Sequence, residues 1–126
     1  MLSTATKTIL DQLLKNKSII EESIAVLLSR FPTKLYENRF IVGHIVECII
    51  ADNSGCTVTK NTKRTDITDG QNNYSVKYSS SGNIKLYNTL GECKDVDICP
   101  TFLIFPDRIT YIDKDILNKV HGDYNV

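Results

Sequence analysis

The chain has no apolar run long enough to cross a membrane. Its apolar stretches, such as those at residues 41–42 and 45–51, are short and interrupted, whereas a spanning helix needs about 20 consecutive apolar residues. The N-terminus also lacks a basic segment followed by an apolar stretch and a small-residue cleavage site. We therefore expect a cytoplasmic protein without a secretion signal or a membrane segment.

Neither sign of charge is in excess, because 15 Lys and Arg residues balance 15 Asp and Glu residues. This excludes a polybasic protein that binds nucleic acid by bulk charge alone. Five basic residues nevertheless lie between positions 60 and 85, around Asp66 and Asp69. They are Lys60, Lys63, Arg64, Lys77 and Lys85. A local positive field around two acids suits a phosphate substrate that also needs a metal, although a solvated hairpin gives the same pattern.

The chain also has no cysteine pair with the CxxC spacing of zinc sites. Its four cysteines are Cys48, Cys56, Cys93 and Cys99, and neither His44 nor His121 completes a zinc pattern with them. We expect free thiols.

Apolar spacing predicts three helices in the first third of the chain. The first carries an apolar stripe after Ser3. The second begins at Ser18, where Glu21 completes a capping box, and ends at Pro32. The third covers residues 37–51 and ends at Asn53-Ser54-Gly55. The apolar residues that define the third helix are Phe40, Ile41, Ile45, Cys48 and Ile49.

Strand-forming residues dominate the rest of the chain. Strands are predicted at residues 56–59, 65–68, 74–78, 101–105 and 109–112, and residues 84–87 form either a strand or the approach to a short helix. A last helix is expected from residue 113 or 115 to 120, closed by Gly122. This order predicts one α/β (α+β) domain over residues 1–126.

The hairpin at residues 65–77 carries the candidate chemistry. Asp66 begins one strand, Asp69-Gly70 is a turn dipeptide, and Lys77 lies on the return strand. Residues on adjacent antiparallel strands can face one another within a few ångströms. Lys77 in a half-buried strand needs a partner, and Asp66 is the nearest candidate. A cross-strand ion pair without a catalytic role is the alternative interpretation.

This hairpin resembles the PD-(D/E)xK nuclease superfamily. The family pattern is an Asp at a strand start, a hairpin, an acid-x-Lys on the next strand, and a preceding helix that carries a Glu. The matching residues are Thr65-Asp66, Ser75-Val76-Lys77 and Glu47. The stretch over residues 39–88 is similar to type II restriction endonucleases and to archaeal Holliday junction resolvases. The resemblance implies a restriction-endonuclease-like mixed central sheet flanked by helices, with N-terminal helices preceding it.

Two residues depart from the family pattern. Thr65 replaces the motif proline, which is a common change. Ser75 replaces the motif acid and so removes a metal ligand. Some restriction endonucleases with Ser-x-Lys recruit a Glu from further along the chain. Glu92 and Glu47 are the two candidates for that replacement.

The resemblance implies Mg²⁺-dependent hydrolysis of DNA phosphodiester bonds, with Mn²⁺ able to substitute. The implied metal ligands are Asp66, the Val76 carbonyl, and Glu92 or Glu47. Lys77 is expected to orient or deprotonate the attacking water and to stabilise the transition state. The catalytic set is thus Asp66, Lys77, Glu92 and Glu47. The residues expected to contact nucleic acid are Lys60, Lys63, Arg64, Ser79, Ser80 and Lys85.

Cleavage of both strands of a duplex needs two active sites, so a homodimer is expected. Residues 1–34 are the candidate dimerisation element, and residues 35–126 are the candidate nuclease core. Three alternatives to a restriction-like enzyme stay open: a structure-selective resolvase, an RNA-cleaving toxin of the same fold, and a non-catalytic binding or assembly subunit that lost the acid at Ser75.

Overall fold

Three helices precede a mixed sheet in the computed structural model, which describes residues 3–59, 65–80, 83–86, 101–112 and 122–125. The predicted mixture of helices and strands is therefore confirmed. The helix predicted over residues 113–120 lies outside these residues, as do Cys93, Cys99 and His121. None of the described helices is long and apolar enough to span a bilayer.

Helix α1 covers Thr4–Lys15 and begins where the sequence predicts. The Ser3 side chain accepts a hydrogen bond from the Thr6 backbone N–H at 3.1 Å, which satisfies a donor at the free helix end. Ile9 and Leu13 are buried on its inner face. The Thr6 hydroxyl lies 3.0 Å from the Tyr74 hydroxyl in the interior, and this hydrogen bond ties α1 to the sheet.

Helix α2 covers Lys17–Arg30, and the predicted capping box at Ser18 is wrong. Ser18 lies inside the helix, and the N-cap is Asn16, whose side chain makes no capping bond. The Asn16 amide instead donates to the Asn53 carbonyl at 3.1 Å. Glu21 faces Lys17 one turn earlier, at 3.5 Å. A single residue thus separates α1 from α2, and a contact distant in sequence replaces the local cap.

Helix α3 covers Tyr36–Asp52, close to its predicted bounds, but the apolar residues whose spacing predicted it are not the fully buried ones. The buried side chains are Val42, Val46, Ile50 and Ala51, whereas Phe40 is 66% exposed. The helix has apolar residues on more than one side, so spacing alone does not select the face that packs. Glu47, the neighbour of Val46, therefore lies at the border of the buried face of α3.

The main sheet has five strands in the order β1-β2-β3-β5-β6. The first three strands form an antiparallel meander, β5 pairs with β3 in parallel, and β6 returns antiparallel to β5. The strands are β1 Thr57–Val58, β2 Ile67–Thr68, β3 Asn73–Tyr78, β5 Thr101–Ile104 and β6 Ile109–Ile112. Each falls inside or within one residue of its predicted segment.

A separate two-stranded antiparallel sheet pairs β4 (Asn83–Leu86) with β7 (Gly122–Asn125). Residues 84–87 were left open between strand and helix, and the pairing assigns most of them to β4. The sequence analysis did not predict β7. Gly122, expected to close a helix, is its first residue.

Two local turns follow the predictions. Asp69 accepts hydrogen bonds from the backbone N–H groups of Asn72 and Gln71 at 2.7 and 2.9 Å, and Gly70 has a φ of 100°. These bonds lower the pKa of Asp69 and confirm it as a turn residue. Pro106-Asp107 reverses the chain between β5 and β6, where the Phe105 N–H donates to the Arg108 carbonyl at 2.9 Å.

The two faces of β3 have different surroundings. Tyr74 and Val76 belong to the buried cluster that includes Ile9 and Leu13 of α1 and Val46 of α3. Side chains alternate along a strand, so Ser75 and Lys77 share the face opposite to Tyr74 and Val76. The candidate active-site residues of β3 therefore lie on one face, outside the helix-packed core.

Candidate active site

Asp66 lies immediately before β2. At this position the backbone hydrogen bonds between β2 and β3 give way to bonds made by the Asp66 side chain. Its N–H donates to the Tyr74 carbonyl at 2.8 Å, and its carbonyl accepts from the Thr59 N–H at 3.0 Å. Its carboxylate Oδ2 accepts from the Val76 N–H at 2.7 Å and from the Ser75 hydroxyl at 3.0 Å. The side chain thus takes the place of a strand carbonyl, and these two donors fix the orientation of the carboxylate.

Ser75 and Lys77 stand beside this carboxylate on β3. Ser75 lies across from Asp66 and is 8% exposed. Lys77, two residues on, is half-buried and shares the strand face of Ser75. The Asp66 carboxylate is thus held at β3 by Ser75 and Val76, and Lys77 is the next residue along that strand. The ion pairs seen among described residues do not include one between Asp66 and Lys77.

Glu47 is the acid that joins Asp66. It projects from α3, and its side chain forms a hydrogen bond with the Asp66 side chain. Burial, the negative charge of Asp66 and that hydrogen bond raise the pKa of Glu47 to about 7. Near neutral pH a large fraction of the Glu47 carboxyl groups therefore carries a proton. Glu92, the other candidate, lies outside the described residues.

His44 lies next to this pair and contacts Glu47. Its Nδ1 lies 3.7 Å from Glu47 Oε2, one turn earlier on α3, and its side chain is 68% exposed. A protonated imidazole at this distance would favour the charged form of Glu47. The spacing of three residues on a helix signalled this contact in the sequence.

The Val76 backbone also faces this site. Its N–H is directed towards Asp66, and the N–H and C=O of one strand residue leave the strand at the same edge. The Val76 carbonyl therefore leaves β3 on the side of the Asp66 carboxylate. This is the orientation that the predicted metal ligand requires.

The donor set fits a hard divalent cation. Glu47 and Asp66 supply two carboxylates, and the Val76 carbonyl is a third oxygen on the same side. Mg²⁺ keeps several water ligands and often binds through only one or two protein carboxylates. In the described part of the chain, no three Asp, Glu, His or Cys side chains converge as a metal cluster. The fit therefore rests on two carboxylates, with water or substrate completing the coordination.

The residues predicted to contact nucleic acid are only partly placed. Lys60, Lys63 and Arg64 lie outside the described residues, and Lys85 lies on β4, opposite Asp123. Ser79 and Ser80 line a pocket between α3 and the end of β3. The sequence analysis missed Arg39 and Tyr78, which line the same pocket. Their signal was the helical spacing of Arg39 from Glu47 and the position of Tyr78 directly after Lys77.

Comparisons with family models, with curated proteins and with solved structures give no significant match.

Proposed function

We propose that this chain is a metal-dependent nuclease of the PD-(D/E)xK type that hydrolyses DNA phosphodiester bonds. The observation that carries the proposal is the Asp66 carboxylate that Ser75 and Val76 hold in place, with Glu47 near enough for Asp66 to raise its pKa and with Lys77 two residues after Ser75 on the same strand face. Two partly buried acidic side chains placed close together are a costly arrangement for structure alone. Perturbed pairs of this kind are typical of functional sites.

Glu47, Asp66 and the Val76 carbonyl would hold Mg²⁺. The ion would supply Lewis-acid chemistry, lowering the pKa of a coordinated water and offsetting charge on the phosphate. Glu47 would supply the acid missing at Ser75, and it loses its proton when a cation binds. Ser75 contributes in another way, since its hydroxyl donates to Asp66 Oδ2 and keeps that carboxylate oriented.

Lys77 would act on the attacking water and the phosphate. Its ammonium is a compact point charge with three donors. From the strand face it shares with Ser75, it would orient the water and stabilise the extra negative charge on the phosphate oxygens. We propose products with 5′-phosphate and 3′-hydroxyl ends, and a restriction-endonuclease-like fold. A meander preceded by a helix that carries Glu47 supports that fold.

A homodimer is part of this proposal for a duplex substrate. The helices of the N-terminal segment expose Leu14, Ile19 and Val26, which are 45%, 56% and 53% exposed. Their burial between two copies would be favourable. Sedimentation of the protein on a short DNA duplex tests this element, because a monomer on DNA would remove it.

One observation favours a second candidate, a non-catalytic binding or assembly subunit. Asp66 Oδ2 is fully engaged by Ser75 and Val76, so Asp66 also has a structural role that would survive the loss of catalysis. The two candidates differ in whether the Glu47–Asp66 pair takes up a divalent ion.

Cleavage of defined substrates tests the proposal. Plasmid, a four-way junction and total RNA would each be incubated with and without Mg²⁺. The variants are Asp66→Asn and Lys77→Ala, with controls at exposed acidic and basic positions, Asp52→Asn and Lys34→Ala. We expect Mg²⁺-dependent DNA cleavage that both site variants abolish and both controls keep. Equal products from wild type and Asp66→Asn would overturn the assignment, and no cleavage by folded, metal-bound wild type would favour the non-catalytic subunit.

A further inference from the structure

A pocket of about 430 Å³ lies between α3 and the end of β3. Its described lining residues are Thr33, Arg39, Val42, Gly43, Tyr78, Ser79 and Ser80. Pockets that hold small organic ligands have volumes of roughly 300 to 1,000 Å³, so this one is large enough for a single small molecule. It is not part of the carboxylate pair.

The pocket adjoins the candidate active site along two elements. On α3, Arg39, Gly43 and Glu47 follow one another at intervals of four residues and so lie along one side of the helix. The rise along a helix places Arg39 on the order of 12 Å from Glu47. On β3, Tyr78 lies two residues beyond Val76, on the strand face that packs against the helices. A nucleic-acid strand that crosses the Glu47–Asp66 pair would therefore reach this pocket within a few nucleotides.

The lining chemistry suits a phosphate attached to a flat organic group. Arg39 supplies a guanidinium, whose planar donors match phosphate oxygens. Thr33, Ser79 and Ser80 are hydroxyl residues, and none of the described lining residues is acidic. Val42 and Tyr78 supply apolar and aromatic surface. A positive group, hydroxyls and an aromatic residue together form the usual combination for single-stranded nucleic acid.

Arg39 and Tyr78 have contacts that bear on ligand binding. Arg39 Nε donates to the Thr33 carbonyl at 3.1 Å, and the guanidinium lies 5.9 Å from the Tyr36 ring centre. This bond uses one of the five guanidinium donors and holds the group at the pocket. The Tyr78 hydroxyl is buried without a hydrogen-bond partner among the described residues. Because this hydroxyl is closed off from solvent, a ligand in the pocket would contact the Tyr78 ring and not its hydroxyl.

We propose that this pocket binds one unpaired nucleotide of the substrate strand, next to the phosphate at the Glu47–Asp66 pair. The assignment of that neighbouring phosphate rests on the proposed function. A base stacked in a duplex cannot enter a pocket of this size, so the nucleotide must be single-stranded or displaced from the stack. The substrate class is therefore DNA with unpaired nucleotides, such as a branched or gapped strand, in preference to continuous duplex.

Binding of a mononucleotide without any metal tests the pocket apart from catalysis. Thymidine 5′-monophosphate, thymidine, inorganic phosphate and an oligothymidylate would each be titrated in EDTA, with amide chemical shifts as the readout. We expect thymidine 5′-monophosphate to move the signals of Gly43, Tyr78, Ser79 and Ser80, and thymidine and phosphate to bind more weakly. Tighter binding of the oligothymidylate would identify a nucleotide of a strand, and not the free mononucleotide, as the natural occupant.

Arg39→Ala and the control Arg30→Ala, another exposed arginine, separate the pocket from general charge. We expect Arg39→Ala to weaken binding by about tenfold or more, the scale of one charge-assisted contact, and Arg30→Ala to leave it unchanged. Arg39→Lys, which keeps the charge but loses the planar donors, should lie between them. Shifts elsewhere on the protein, or equal binding by Arg39→Ala and Arg30→Ala, would overturn the pocket assignment.

Asp66→Asn distinguishes the failure of this inference from the failure of the proposed function. It should bind the mononucleotide as wild type does, because Asp66 is outside the pocket. Mononucleotide binding without any cleavage activity would contradict the proposed function and keep the pocket assignment. Cleavage activity without mononucleotide binding would contradict the pocket assignment and keep the proposed function. For an active enzyme, equal cleavage of continuous duplex and of gapped DNA would overturn the preference for unpaired nucleotides.

Discussion

Glu47 of α3 and Asp66 at the start of β2 form a side-chain hydrogen bond between two acidic groups. Asp66 is oriented by the Ser75 hydroxyl and the Val76 N–H, and Glu47 is the acid of the two whose pKa is raised, to about 7. This relationship connects a helix to the strand junction at the candidate site. The raised pKa of Glu47 also makes the stability of the protein depend on pH.

The first prediction concerns stability and pH. The pKa of Glu47 rises from 4.5 to about 7 on folding, so the folded protein binds the proton more tightly than the unfolded chain. The resulting stabilisation is fully present below pH 4.5 and is lost as the pH rises through about 7. Denaturant unfolding of wild type should therefore show a decline in the free energy of unfolding over this range.

Glu47→Gln is the variant that tests this linkage, because it removes the titrating group and keeps a hydrogen-bond donor. Its unfolding free energy should change less between pH 4.5 and 7 than that of wild type. Glu37→Gln, at an exposed position in the first turn of α3, should keep the wild-type slope. Parallel profiles for wild type and Glu47→Gln would show that Glu47 does not carry the proton.

The second prediction is that metal affinity rises with pH. A cation at the pair displaces the proton of Glu47, so below pH 7 the apparent affinity should increase by about tenfold per pH unit if one proton is released. Calorimetric Mg²⁺ titrations at several pH values measure this slope. A slope of zero in wild type would contradict proton displacement, whereas Glu47→Gln should show weak binding without the slope.

The third prediction restores the motif acid. Ser75→Asp places a third carboxylate next to Asp66 at a position that is only 8% exposed. Without metal the variant should be less stable, by about 1 to 3 kcal/mol, because a further charge is buried beside like charges. With Mg²⁺ its melting temperature should rise more than that of wild type. Thermal unfolding with EDTA and with Mg²⁺ gives both values, and a smaller Mg²⁺ response than wild type would argue against a metal at this position.

The fourth prediction separates stability from binding at the pocket. Tyr78→Phe removes a buried hydroxyl that has no partner in the described part of the chain, so the free energy of unfolding should stay equal or increase. Thymidine 5′-monophosphate binding should stay unchanged, because the hydroxyl is closed off from solvent and the substitution keeps the ring. Tyr74→Phe is the matched control, since it breaks the 3.0 Å contact with Thr6 and should cost about 1 kcal/mol. Marked destabilisation by Tyr78→Phe would reveal a partner for its hydroxyl.

Local signals account for the parts of the fold that were predicted. Ser3 caps α1, Pro32 follows the end of α2, and Asp69-Gly70 forms the turn before β3, each through contacts within a few residues. The capping box at Ser18 was predicted wrongly because a distant contact takes its place. Asn16 bonds to Asn53 where a local cap was expected, and the buried face of α3 is selected by the elements against which it packs.

The candidate site also combines residues that a local pattern predicts with residues that only distant contacts bring together. Asp66 and Lys77 follow from a short motif, and strand alternation then places Lys77 on the face of Ser75. The role of Ser75 as a donor to Asp66 is visible only once the strands are in register. The choice of Glu47 as the partner acid required the position of α3 on the meander, which no local pattern encodes.

The most direct test of the central claim is to locate a bound Mn²⁺ ion by its paramagnetic broadening of amide signals. We predict that the signals of Glu47, Ser75 and Val76 broaden first as Mn²⁺ is added to wild type, and that excess Mg²⁺ reverses the effect. Asp66→Asn should remove this broadening, and Asp52→Asn should retain it. Broadening centred elsewhere, such as at the exposed Asp69 or Asp107, with these three signals unchanged, would contradict a metal site at the Glu47–Asp66 pair.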